Sequence, residues 1–259
     1  MEGVSGIVGY EQADPSMAEY PEGRKYFMSD LNALVNGLYD GGADEVHVYD
    51  EHFYGRNVDF NLLENKDVVL YCGKPPYRTD WAGGLDETFD GIILLGFHSK
   101  RGTFDALLNH SYEPDIKDIK INGVSVGEIG VEAAIAGDFG VSLVMLTADS
   151  EGIREAKELV PDVCAVCVKE SLSEFGGMCY SLKDTYEKIY NAAKDIAMSG
   201  KKATVYNCGN KVKFEFTFFD TPYAAKYLEL FGEPVIEGAS ALECWAKYWS
   251  NKLEVQKAL

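Results

Sequence analysis

Between residues 91 and 169 the hydrophobic period changes back and forth, and no other feature of the 259-residue chain constrains its fold as tightly. Gly91-Ile-Ile-Leu-Leu-Gly96 is a continuous apolar run of the kind found in strands buried on both faces. Residues 141–147 and 163–169 read as further strands, and 128–136 and 151–159 carry helical spacing. Strands alternating with helices of about ten residues require crossover connections, which join parallel strands. The expectation is an α/β fold with a mainly parallel sheet flanked by helices in Rossmann-like order. Functional sites in such sheets form beyond the carboxyl ends of the strands.

The flanking segments extend this plan. Phe27, Leu31, Leu34, Val35 and Leu38 recur at three- and four-residue intervals, predicting an amphipathic helix over 24–39 that Gly41-Gly42 ends. Residues 45–49 and 67–72 predict short strands, and Asn122-Gly123 between alternating residues predicts a hairpin over 119–126. From about residue 171 the texture changes: a Gly176-Gly177 break, a long helix at 182–198, strands at 203–206 and 212–219, then helices at 223–231 and 239–253. Two domains are expected, a larger α/β one over 1–170 that carries the site and a smaller α+β one over 171–259. Phe214, Phe216 and Phe218, at period two, are read as a core face awaiting a covering layer.

With 42 Asp and Glu against 24 Lys and Arg, the formal charge is −18 at pH 7. A phosphate backbone or an anionic membrane surface would repel such a chain, so no nucleic acid and no membrane is expected as a partner. No apolar run reaches the roughly 18 residues of a membrane span, and residues 1–9 lack the basic start and apolar run of a secretory signal. A cytoplasmic protein is expected. Its six cysteines are dispersed through a chain large enough to fold without staples, which predicts reduced, mostly buried thiols. Cys164 and Cys167 form a C-x-x-C within an alternating run and are read as strand residues rather than a redox pair.

Three of the four histidines fall just after predicted strands or in polar loops: His52 in D-E-H, His98 in G-F-H-S and His110 in L-N-H-S. His47, between Val46 and Val48, is read as structural. Imidazole is the commonest ligand for borderline divalent metals, and strand ends can hold it at about 2.0–2.1 Å. Two carboxylates accompany these histidines. Glu2 lies in the opening Met-Glu-Gly-Val-Ser-Gly, and Glu128 opens a helix, where its charge also meets the positive end of the helix dipole. Asp50, two residues before His52, is placed to orient that imidazole through its second nitrogen. The sequence contains no P-loop, H-E-x-x-H or G-x-G-x-x-G fingerprint. Metal-assisted hydrolysis is the enzyme class these residues support.

Five motifs occur in order: Met1-Glu-Gly-Val-Ser-Gly6, Asp50-Glu-His52, Gly84-Leu-Asp-Glu-Thr-Phe-Asp-Gly91 leading into Leu95-Gly-Phe-His98, Leu108-Asn-His-Ser111, and Asn122-Gly-Val-Ser-Val-Gly-Glu-Ile-Gly130. With them the chain resembles the zinc-dependent D-aminopeptidases of the DppA type. The resemblance implies a two-domain α/β fold and a paired zinc centre. It further implies cleavage of the N-terminal residue, D-amino acids included, from short peptides. Matched residue by residue, it implies Glu2, His52, His98 and Glu128 as metal ligands and His110 as a further active-site histidine. It also implies a large homo-oligomer, with exposed apolar edges of the second domain as subunit contacts.

The family's opening reads Asp-Met-Glu-Gly after a short apolar strand, and its aspartate bridges the two metals; here the sequence starts at Met1. The expectation is that the natural protein carries several more residues upstream. Two competing readings stay open: a non-catalytic metal- or peptide-binding homologue, which the missing aspartate favours, and a metal-dependent hydrolase of another small amide. In the leading reading, bound metal lowers the pKa of water from about 15.7 toward about 7 and polarises the scissile carbonyl. His110, of a type that titrates near about 6.5, then exchanges protons with the leaving amine or stabilises the tetrahedral intermediate. The acidic surface would attract a substrate's ammonium group within a screening length of roughly 8–10 Å, although solubility explains the charge equally well.

Overall fold

The computed structural model describes residues 1–65, 67–74 and 78–259. In chain order its elements are α1 (Tyr10–Ala13), α2 (Tyr20–Asp40), β1 (Val46–Tyr49), β2 (Val68–Tyr71), β3 (Ile92–Phe97), β4 (Ile116–Ile121), β5 (Val124–Val126), α3 (Glu128–Asp138), β6 (Leu143–Asp149), α4 (Ser150–Leu159), β7 (Cys164–Ser173), β8 (Gly176–Cys179), α5 (Leu182–Ser199), β9 (Val212–Phe218), α6 (Pro222–Phe231), β10 (Val235–Gly238) and α7 (Ala241–Ala258).

The alternation seen in the sequence becomes a sheet of order β3-β6-β7-β8. β3, β6 and β7 run parallel, and β8 returns antiparallel on β7. β6 is buried along its whole length, as a central strand covered on both faces must be. One face packs on Ala33 and Leu34 of α2 and Ile189 and Ala193 of α5, and the other on Ile129 and Ala133 of α3 and Ala156 of α4. β1 and β2 pair parallel in a separate two-stranded sheet among the described residues. The architecture is therefore α/β with parallel and antiparallel strands in two large sheets, and among the described residues the strand order is not specifically the Rossmann-like one expected from the alternation.

The other large sheet is antiparallel, of order β10-β9-β4-β5. Asn122 and Gly123 both take positive φ, 52° and 85°, the backbone that a two-residue turn matching strand twist requires. The phenylalanine face of β9 finds its cover in α7: Tyr248 stacks on Phe216 at 4.3 Å, and Trp245 is fully buried beside both. α3 is the partition between the two large sheets. Its Ile129 and Ala133 face the parallel sheet, while Val131, Ala134 and Ile135 join the core of the antiparallel one. A helix apolar over most of its circumference is a buried helix, and of its three charged residues Glu128, Glu132 and Asp138 it is Glu128 that the first turn presents.

Residues 170 and 171 both lie in β7, and the antiparallel sheet unites residues 116–126 with 212–238. Three other expectations are corrected. Gly176-Gly177 is not a break but the start of β8, with Gly177 paired against Ser171. Residues 203–206 form no strand. There the Thr204 backbone N–H donates to the Asp162 carboxylate at 3.0 Å instead of entering a ladder. All six cysteines are free, but Cys244 alone is buried; Cys72 and Cys179 are exposed and the others intermediate. Burial pushes the Cys167 thiol up to about 11, which agrees with an unreactive strand residue. No helix among the described residues is long and apolar enough to cross a membrane.

Candidate metal centre

β3 ends in an irregularity between Leu94 and Phe97, where Gly96 takes φ 72°. The Gly96 N–H donates to Thr147 Oγ1 at 2.8 Å, and its carbonyl accepts the Gly3 N–H at 3.0 Å. That bond seats the 2–7 loop across the end of the sheet. The chain then turns out of the strand and buries His98, which is 3% exposed. His52 leaves the carboxyl end of β1 in the same way.

His110 is held by backbone strain. Leu108 and Tyr112, two residues to either side, are non-glycines with left-handed φ of 49° and 53°, a conformation costing about 1–3 kcal/mol each. The Leu108 carbonyl accepts the His110 Nδ1–H at 2.9 Å, and the Tyr112 N–H donates to Glu128 Oε1 at 2.7 Å. The strained turns thus aim one ligand-bearing loop at the helix start that faces it.

These placements converge. Glu2, His98 and His110 offer ligand atoms that all lie within 4.8 Å of one another. The His98 and His110 rings stack at 4.1 Å and 18°. Their Nε2 atoms stand 3.6 and 3.7 Å from the two oxygens of Glu128. His52 Nε2 lies 3.0 Å from Glu2 Oε1, and its buried Nδ1 has no hydrogen-bond partner among the described residues. Every candidate ligand expected from the sequence is therefore in this cluster or touches it.

The donor set fits a borderline divalent cation. His98 Nδ1 lies 3.0 Å from the Ser99 carbonyl. A carbonyl only accepts, so Nδ1 carries a proton in both His98 and His110, and each ring turns its Nε2 toward the centre. Burial pushes the His98 imidazole below its ordinary value, with His110 adding to the shift, so the ring is kept neutral and able to ligate. Burial pushes the Glu128 carboxyl up, but the charge that His98 or His110 carries when protonated, together with the Tyr112 N–H bond, outweighs it and sets the group below its ordinary value.

Asp50 does not orient the His52 ring. Its Oδ2 accepts the N–H groups of Asn57 and Val58 at 2.6 and 3.0 Å, and its Oδ1 accepts Asn57 Nδ2 at 2.7 Å. Asn57 Nδ2 also donates to the His52 carbonyl at 2.7 Å. Asp50 braces the loop that carries the imidazole and leaves the ring itself alone.

Residues 1–241 match the family described as D-aminopeptidase. The chain belongs to the D-aminopeptidase family. The D-aminopeptidase of Bacillus subtilis (strain 168) is 30% identical over 181 residues, 70% of this chain, and the chain spans 65% of the length of that curated relative. A solved structure described as the Zn-dependent D-aminopeptidase DppA from Bacillus subtilis, a self-compartmentalizing protease, is similar with a TM-score of 0.87. It is 24% identical, with 99% of this chain and 94% of that chain covered, and it shows the shared fold.

One supporting residue had no motif to reveal it. Glu155, buried on α4, accepts the Lys100 N–H at 2.7 Å and the Gly127 N–H at 2.8 Å. One carboxylate thus ties the backbone two residues after His98 to the backbone one residue before Glu128. The available signal was its spacing: with Gly152 and Ala156 it falls on the buried face of α4. Glu155→Ala leaves two buried N–H groups without acceptors, and is expected to cost about 1–3 kcal/mol in urea unfolding. Zinc affinity, measured by chelator competition, should fall by about 10–100-fold, as when a ligand's support is removed.

Proposed function

We propose that this chain is a zinc-dependent aminopeptidase that removes an N-terminal D-amino acid from short peptides. The observation that carries the reading is the convergence of Glu2, His98 and His110, from three separate segments, on one buried point. In this reading Glu2, His52, His98 and Glu128 hold two zinc ions per subunit. Bound zinc supplies Lewis acidity, which polarises the scissile carbonyl and makes water a nucleophile near neutral pH. The protein's own part is to fix the ligands, keep His98 neutral and position a proton carrier. His110 is that carrier: with Nδ1–H donated to the Leu108 carbonyl, Nε2 is the nitrogen free to take a proton from the attacking water and then pass it to the leaving amine. The family membership and the similarity to the Bacillus subtilis enzyme favour peptides with a D-residue at the amino end.

We also infer a homo-oligomer. Leu172, Phe175 and Met178, on or between β7 and β8, are 65, 66 and 51% exposed, an apolar cluster suited to contact with another subunit. Size-exclusion chromatography with light scattering measures this directly.

The functional test is metal analysis beside a peptide panel. About two zinc per subunit, and release of D-Ala from D-alanyl peptides that stops on chelation and returns with zinc, is the expected result. Absence of turnover on both D- and L-peptides, with one zinc or none, identifies a binding protein instead.

A further inference from the structure

Lys169 sits at the centre of β7 with its side chain fully buried, beneath the loop that carries Glu2. Its Nζ donates to the carbonyls of Glu2, Val4 and Ile7 at 2.5, 2.9 and 2.5 Å. An ammonium has three N–H groups, and all three are used on one loop. Carbonyl oxygens turned toward a common point repel one another, and in the loops of metal-binding proteins a cation normally resolves that repulsion. Here a tethered side chain fills the position.

We propose that Lys169 is a positioning residue whose ammonium acts as a built-in cation, fixing the 2–7 loop so that Glu2 faces His52 and His98. The other holds on this loop are directional but sparse. Gly3 N–H is tied to the Gly96 carbonyl at 3.0 Å and Ser5 N–H to Asp30 Oδ2 at 2.9 Å, and Gln12 Nε2 donates to the Gly6 carbonyl at 3.4 Å. None of these engages the Glu2 peptide carbonyl, which Lys169 alone takes up among the hydrogen bonds of the described residues. A ligand must be held to within about 0.5 Å to serve a metal, so the carbonyl contact at Glu2 is where the precision enters. The consequence for zinc rests on the proposed function; the consequence for the loop does not.

The test compares the full-length protein with Lys169→Met, which keeps the volume and removes the charge, and with Lys169→Ala. Amide hydrogen exchange of the peptide spanning residues 1–9 reads the loop, and chelator competition reads zinc affinity. In both variants the peptide should exchange at least about tenfold faster while β6 keeps its protection, and zinc affinity should fall by about 10–100-fold. Propylammonium chloride added to Lys169→Ala should restore both readings, and propanol, of the same shape without charge, should not. Unchanged exchange in residues 1–9, equal rescue by propanol, or loss of protection in β6 to the same degree as in residues 1–9 overturns the proposal. If the parent protein binds no zinc, the functional reading fails, and the exchange and rescue results still decide the role of Lys169.

Discussion

Replacing His98 with alanine is expected to abolish peptide turnover together with zinc binding. His98 is the most enclosed histidine of the cluster, it is kept neutral by burial, and its Nδ1–H is committed to the Ser99 carbonyl. Only Nε2 can act, and it faces Glu128 and the Glu2–His110 pair. Deleting it removes a donor that no neighbour can replace, so zinc affinity should fall by more than about 100-fold, beyond the 10–100-fold typical of a residue that merely supports a ligand. His110→Ala serves as the contrast. If His110 moves a proton, its loss lowers kcat by about 10²–10⁴ while zinc stays bound. Isothermal titration with zinc and steady-state kinetics on the same two variants separate the roles. Equal loss of zinc in both would make His110 a ligand.

Gly3→Ala is expected to be nearly as damaging, for a purely steric reason. A Cβ at residue 3 would lie 1.5 Å from the Phe97 carbonyl oxygen and 2.4 and 2.7 Å from the Phe97 and Gly96 carbonyl carbons. These atoms belong to the backbone at the end of β3, so no rotamer change relieves the clash. The Gly3 N–H bond to the Gly96 carbonyl must break, and the loop must lift from the strand that delivers His98. Glu2, the next residue, moves with it. Displacement of a reacting group by about 1 Å can cost 10²-fold in rate, and overpacking at a fixed backbone typically costs 1–3 kcal/mol or more. A fall in kcat/KM of about 10²-fold or more, with weakened zinc binding and a lower urea midpoint, is the expected outcome. Wild-type zinc affinity in Gly3→Ala would mean that the loop carries Glu2 to the site by some other hold.

Much of the site was legible because its chemistry is written in residue types at strand ends. His52 and His98 each follow a parallel strand, Glu128 opens a helix, and His110 lies in a polar loop; His98, His110 and Glu128 lie together, and His52 reaches them through Glu2. What could not be read was pairing. Hydrophobic period reports which face of a strand is buried, not which strand lies beside it. β4 therefore gave no hint that its partner is β9, nearly a hundred residues later, and β7 gave none that it continues past residue 170 into a hairpin. The supporting residues were hidden for a related reason. Asp50 looked like a partner for the His52 ring because both follow β1, yet the loop returns at Asn57 and captures the carboxylate first. Glu155 and Lys169 act on backbone groups and Tyr112 acts through its own N–H, and a backbone N–H or carbonyl leaves no mark in a sequence. Lys169 ending the run Cys-Ala-Val-Cys-Val was the one visible anomaly, a charge on a strand covered from both sides.

Anomalous diffraction at the zinc edge from crystals of the zinc-loaded protein is the most direct measurement of the central claim. Two peaks, each about 2.0–2.2 Å from donor atoms among Glu2, His52, His98 and Glu128, are the expected result. No peak between those side chains, or zinc held instead by groups elsewhere such as Cys164 and Cys167, would contradict it.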